Sequence, residues 1–255
     1  MRINHNVSSM NTQNSLFKTN RAIKKNLEKL STGLRINRAS DDAAGLGVSE
    51  NLRTQIRGTS QAKRNALDGI ALLNTAEGAA SEISDILQRM RELAIQSSND
   101  TLTSTERSYT NQEFSALTSE IDRIASVTNY NGQSLISSAT VDRFGGGDNG
   151  TLWIDANSTT GRDSMEITIN TLSTGASGNG LNISGNTLAT QSGAQAAIES
   201  LDLAINSVNT MRSGLGAFVN RLESAINNLD VSNTNQQAAE SLIRDVDFAK
   251  ETASF

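Results

Sequence analysis

Hydrophobic residues recur along this chain at helical spacing. Ile23, Leu27, Leu30 and Leu34 follow at intervals of four, three and four, with Leu16 one heptad before Ile23. Such a stripe predicts an amphipathic helix. "STGLRINRASDDAAGLG" interrupts it, and Ser40, Asp41 and Asp42 are suited to open a new helix because carboxylates favour its positive end. The next helix is long. Ala66, Ile70, Leu73, Ala76, Ala80, Ile83, Leu87, Met90 and Ala94 alternate three and four apart. Gly58, Gly69 and Gly78 each cost about 1 kcal/mol against alanine there, which predicts close approach of a neighbouring helix. "SSNDTLTST" ends this helix, and Phe114, Leu117, Ile121 and Ile124 mark one face of a third.

From about residue 137 to 193 the texture changes to Gly, Ser, Thr and Asn. "TLWIDAN" and "SMEITIN" alternate as strands do, and "GGGDNG" reads as a connection between strands. Helical spacing returns near Ala194. Ile198, Leu201, Ile205 and Val208, then Leu215, Val219, Leu222, Ile226 and Leu229, form a second long stripe, interrupted at Arg212. Packing the two long stripes side by side gives an antiparallel rod, with both termini at one end and the insertion at the other. A stripe of some 30 residues makes a rod of about 45 Å. The expected fold is therefore mainly α: a long antiparallel bundle of coiled-coil character, with a small β-rich central insertion. Its seam would run through Ile83, Leu87, Met90, Leu215, Val219 and Leu222. The expected parts are 1–42, a terminal helix and connector; 43–136, the first part of the rod; 137–193, the insertion; and 194–255, the returning helix.

Composition narrows the function. The chain of 255 residues holds neither proline nor cysteine, and aromatics make up 4%. Helix interiors exclude proline, so its absence suits long helices. Lack of cysteine removes disulfides, cysteine-based zinc sites and thiol catalysis. A net charge of −5 gives no global support for nucleic-acid binding. No run of about 18 apolar residues exists to span a membrane, and the N-terminus lacks a secretory signal; by themselves these features imply a cytoplasmic protein. His5 is the only histidine and stands in a polar segment. "SLFK" lacks the companion motifs of Ser-x-x-Lys enzymes, the Gly-x-Gly pairs lack a third glycine, and "DVDFAKE" lacks the glycine of a calcium loop. No cofactor, metal or catalytic residue is expected. The basic run Lys18, Arg21, Lys24, Lys25 and Lys29 forms a polar face, with Glu240, Asp245, Asp247 and Glu251 as prospective partners.

"LQRMRELAIQSSND" carries the densest polar decoration. Helical projection puts Leu87, Met90 and Ala94 in the seam and Leu93 at its edge, flanked by Arg89 and Gln96. Arg89 can reach Asp85 one turn back. An edge leucine beside an arginine suits an interface hot spot, whereas spacing alone favours a widened buried stripe.

Taken together, "INHNVSSMNTQNSL", "LEKLSTGLRINRASDDAAGLGVSENLRTQIRG", "LQRMRELAIQSSND", "EIDRIASVTNYNGQSL", "GLGAFVNRLESAINNL" and "SLIRDVDFAKE" resemble bacterial flagellin. The likeness is collinear and spans most of 1–136 and 194–255. "LWIDANSTTGRDSMEITI" is similar as well, with Asp155 where the family often has glycine; Leu242, Val246 and Phe248 depart mildly from its C-terminal motif. The resemblance implies a subunit that stacks into a hollow helical filament for swimming, with Ile23, Leu27, Leu30 and Leu34 packing in the filament core. It implies export through the flagellar type III apparatus without a cleaved signal, assembly beneath a cap, and an extracellular location, reversing the cytoplasmic inference. It implies recognition of the monomer by Toll-like receptor 5 through Gln88, Arg89, Leu93 and Glu113, a surface shared with subunit contacts. No nucleic acid or membrane partner is implied. Family members usually continue past "AKETASF" with an apolar helix, so a chain ending at Phe255 is expected to leave residues near 1–40 partly disordered and to polymerise poorly. The related hook–filament junction protein is the nearest alternative. A metalloprotease insert is incompatible with one histidine, and a generic coiled-coil adaptor would lack these motifs.

Overall fold

The computed structural model describes residues 6–137, 144, 150–157, 162–175 and 180–254. His5 and most of "GGGDNG" lie outside them. Among the described residues five helices and two small hairpins follow in order: α1 (Val7–Thr32), α2 (Ala43–Ser97), α3 (Ser104–Val127), β1 (Asn129–Tyr130), β2 (Gln133–Ser134), β3 (Gly150–Trp153), β4 (Ser164–Ile167), α4 (Gln191–Arg244) and α5 (Phe248–Ser254). The architecture is mainly helical, as the stripes predict. The chain folds as two compact units, Met1–Ser60 with Leu229–Phe255, and Gln61–Asn228; α2 and α4 each contribute to both.

The unit 61–228 holds the main core. Ala66, Leu73, Ala76, Ala80, Ile83, Leu87, Met90 and Ala94 of α2 are buried, as are Leu201, Val208, Leu215 and Leu222 of α4, while Val219 is half-buried. The helices run antiparallel: Arg91 pairs with Asp202 at 2.6 Å and Glu77 with Arg212 at 2.8 Å. The interruption expected at Arg212 is filled by its neighbour. Met211 is buried between Val208 and Leu215 and keeps the three–four rhythm, which frees Arg212 to reach Glu77 from the seam's edge.

The insertion forms less sheet than its alternation suggests. Among its described residues only Gly150–Trp153 and Ser164–Ile167 pair, antiparallel, with Leu152 opposite Met165. The described segments 168–175 and 180–190 lie outside helix and strand and are held by side chains. Asp122 accepts from the Thr174 backbone N–H at 2.8 Å, and Asn111 accepts from that of Leu188 at 2.7 Å. Beneath these bonds Ile169, Leu172, Ile183 and Leu188 are buried. A second hairpin, β1–β2, turns at Asn131 and Gly132, both with positive φ. The Asn-Gly pair is the local signature of such a turn, and helical periodicity passes over it.

The glycines of α2 differ. Gly69 is buried, and a Cβ there would overlap Leu152 Cδ1 from β3 and lie 3.5 Å from Leu222 Cδ1 of α4. Asn65, one turn earlier, donates to the Trp153 carbonyl at 3.1 Å. Close approach is thus real at Gly69, but it comes chiefly from strand β3, with helix α4 at ordinary contact distance. At Gly78 the expectation fails, since nothing lies within 4 Å of a built Cβ. Gly78→Ala is therefore expected to stabilise the protein by about 1 kcal/mol through helix propensity alone, seen as a higher thermal midpoint.

In the unit formed by 1–60 and 229–255 the predicted first helix is shorter than its stripe. Gly33 adopts φ 71° and ends α1, and Leu34 leaves the helix to bridge Asp245. Asp42 opens α2, its Oδ1 accepting from Gly45 N–H at 2.8 Å. Asp41 instead braces the turn before it, accepting from Asn37 and Arg38 N–H and pairing with Lys25 at 2.8 Å. Lys25 first, and those backbone donors after it, hold the Asp41 carboxyl below its ordinary range. Of the basic run, Lys29 reaches the predicted C-terminal acids, meeting Glu251 at 3.2 Å. Asp245 accepts from Ser241 and Asp247 caps α5. Glu50 of α2 pairs with Arg244 of α4 at 2.8 Å.

Candidate functional site

Two surfaces carry chemistry that the fold does not consume. The first is α1. Asn6 caps it, accepting from Ser9 N–H at 3.1 Å, and it runs for 26 residues without one buried side chain. Leu16, Ile23, Leu27 and Leu30 nevertheless share one face, and Leu16 and Leu27 are 62% and 49% exposed. Ile23, Leu30 and the off-helix Leu34 are half-buried. Val7, Met10 and Phe17 are exposed on another side. A helix this polar in composition and bare of tertiary burial has an apolar face in search of cover.

The second surface lies where α2 and α3 run together. A capping box fixes the start of α3: Thr103 and Glu106 satisfy each other's backbone N–H groups. Arg107 then donates to the Ser97 and Asn99 carbonyls at the end of α2. With the turn fixed, Glu113 comes opposite Arg89, which donates to its Oε1 at 3.0 and 2.9 Å and to Glu92 at 3.1 Å. Glu113 first and Glu92 second raise the Arg89 pKa, so the guanidinium keeps its charge and a fixed direction. Gln88 and Gln96 are exposed beside it. The pairing with Asp85 expected from spacing is not made, because α3 presents Glu113 on Arg89's other side. Exposed Ile95 and Tyr109 adjoin this region in sequence, and the periodicity of buried residues does not mark them.

Leu93 departs from the surface role that the resemblance implies and fits the widened buried stripe that its spacing favours. It is not at the rim but buried, 1% exposed, in the core that includes Phe114. The projection assumed one partner helix. Arg89 meets α3 on one flank of α2 and Arg91 meets α4 on the other, so everything on the arc between them is covered, Leu93 included. The structure thus brings together Gln88, Arg89 and Glu113 as surface groups and assigns Leu93 to the interior. Ile83, Leu87 and Met90 are buried.

Among the described residues no group of three metal-ligating side chains occurs, and no helix is long and apolar enough to cross a membrane. The fold defines a class: long antiparallel helices joined through a small irregular region, with a terminal helix left open. Residues 3–140 match the bacterial flagellin N-terminal helical region and residues 198–255 its C-terminal helical region. Flagellin of Halalkalibacterium halodurans is 46% identical over all of this chain and 89% of its own length. Flagellin of Bacillus subtilis is 43% identical, again over all of this chain and 90% of its own length. The flagellar filament 33 kDa core protein of Treponema phagedenis is 42% identical over all of this chain and 90% of its own. The crystal structure of Bacillus cereus flagellin superposes with a TM-score of 0.54 at 34% identity, covering 69% of this chain and 94% of that one. A protein described as flagellar hook-associated, from Vibrio parahaemolyticus, gives 0.65 at 16% identity over 80% of this chain and 99% of its own, a likeness of fold alone. The chain belongs to the bacterial flagellin family, a family of structural proteins.

Proposed function

We propose that this protein is a self-assembling subunit of the extracellular flagellar filament, and that copies associate by covering the open face of α1. The observation that carries this reading is a 26-residue helix with an aligned Leu16, Ile23, Leu27 and Leu30 face and no buried residue. Association removes that apolar area from water, at about 25 cal/mol per Å². Secretion through the flagellar export apparatus and addition beneath the cap belong to the same reading, drawn from the family. Replacing Leu16 and Leu27 with aspartate in the full-length protein is expected to abolish growth from filament seeds, followed by electron microscopy. Monomer unfolding should hardly change, because neither residue serves the core. Wild-type growth of the double variant would sink the proposal.

A second reading concerns the monomer. The exposed Arg89–Glu113 pair with Gln88 beside it supports recognition by Toll-like receptor 5, since these residue types match receptor-active members of the family. Arg89→Ala combined with Glu113→Ala is expected to lower the response in a receptor reporter assay at least tenfold, with the helical circular-dichroism signal unchanged. An undiminished response rejects the site. Leu93, being interior, is unsuited to this test.

A further inference from the structure

Two helix C-termini meet in the unit formed by 1–60 and 229–255. The end of α1 at Thr32 and the end of α4 at Arg244 are joined by an antiparallel bridge between Leu34 and Asp245. Every helix C-terminus leaves four carbonyls without intrahelical partners and carries a partial negative charge of about half an electron. Two such ends side by side repel each other unless donors and cations intervene.

Here the donors come from the partner segment. Val246 N–H donates to the Gly33 carbonyl at 3.0 Å, and Arg35 N–H donates to the Arg244 carbonyl at 2.7 Å. The Arg35 side chain adds a fork: Nε donates to the Ile243 carbonyl at 3.0 Å, and Nη2 donates to the same oxygen. One residue thus serves two of the last carbonyls of α4, with its backbone and with its charged group. Besides this bridge, α5 is tied to α1 by polar contacts alone, among them Asn26 Nδ2, which donates to the Ser254 carbonyl at 3.4 Å. Neither helix contains a buried residue, Phe248 remains 56% exposed beside Gly33, and Lys29–Glu251 is a single ion pair.

We infer that Arg35 is a positioning residue: its guanidinium fork closes a clasp between the α1–α2 and α4–α5 connectors, so that α1 and α5 reorient as one body. A lysine keeps the charge but offers a point donor without the planar fork, and cannot replace it. Only the last readout below rests on the assembly reading.

The test uses the full-length monomer, Arg35→Gln and Arg35→Lys. Amide exchange at Val246 is expected to quicken at least tenfold in both variants, with exchange across 61–228 unchanged. Spin labels at Thr19 and Thr252 should show a broadened distance distribution in both. Unchanged exchange and distances in Arg35→Gln would overturn the clasp, since the backbone bridge then stands without the side chain. Wild-type behaviour of Arg35→Lys would overturn the role of the fork. In seeded growth Arg35→Gln is expected to elongate at least tenfold more slowly. Normal growth with quickened exchange would overturn the positioning role in assembly, whereas normal growth of the Leu16/Leu27 aspartate variant would remove the assembly reading and leave the exchange result intact.

Discussion

Leu93→Ala is expected to destabilise the protein by about 2–5 kcal/mol, as truncation of a fully buried leucine does. The side chain is 1% exposed and shares a core with Phe114, Leu87 and Ala94, all built into α2 and α3. Its loss removes transfer free energy and leaves a hole that these helices, tied by Arg107 and the Thr103–Glu106 box, close only in part. Urea unfolding followed by circular dichroism should give a lower midpoint with an unchanged slope. The Arg89→Ala variant beside it should unfold near the wild-type midpoint, since exposed ion pairs contribute little. A Leu93→Ala midpoint equal to wild type would mean that the leucine stands in solvent.

The second large effect is at Gly69. Gly69→Val is expected to cost about 3 kcal/mol, toward the upper part of the range for overpacking, because its side chain must displace Leu152. Helix propensity works the other way, favouring any residue over glycine by less than about 1 kcal/mol. The steric cost therefore decides the sign. Combining it with Leu152→Ala should recover part of the loss, a coupling measurable in a double-mutant cycle. Without such coupling, β3 would have no contact with α2 at this point. Thermal unfolding of the four proteins reads all the terms.

Much of this was legible in the sequence. Ile83, Leu87, Met90, Leu215 and Leu222 announce the seam because a buried face must repeat with the helical period. Arg89 and Glu113 were expected to share a surface only through the family motif; nothing in either residue's neighbourhood states that α3 folds back along α2. Leu93 follows the spacing, which favours a widened buried stripe, and not the resemblance, which places it on the surface; α3 supplies the second neighbour that covers it. Met211 fills the interruption at Arg212 from the position before it, so the stripe is continuous although the charged residue masks its period. The insertion was the least legible: Asp122 and Asn111 hold it by bonds to backbone atoms 52 and 77 residues away, contacts that leave no local pattern.

The ion pairs across α2 and α4 have a meaning beyond their small energies. A seam of regularly spaced aliphatics is nearly self-similar, so a slide by one heptad would again bring apolar residues together. Polar groups break that degeneracy. Moving α4 one heptad either way would set Glu77 against Ile205 or Val219 in place of Arg212, and Arg91 against Gln195 or Asn209 in place of Asp202. Both charges would lose their partners, and one would face hydrocarbon. Glu77–Arg212 and Arg91–Asp202 thus work as alignment marks: they say little about how tightly the helices hold, and much about where along each other they stop.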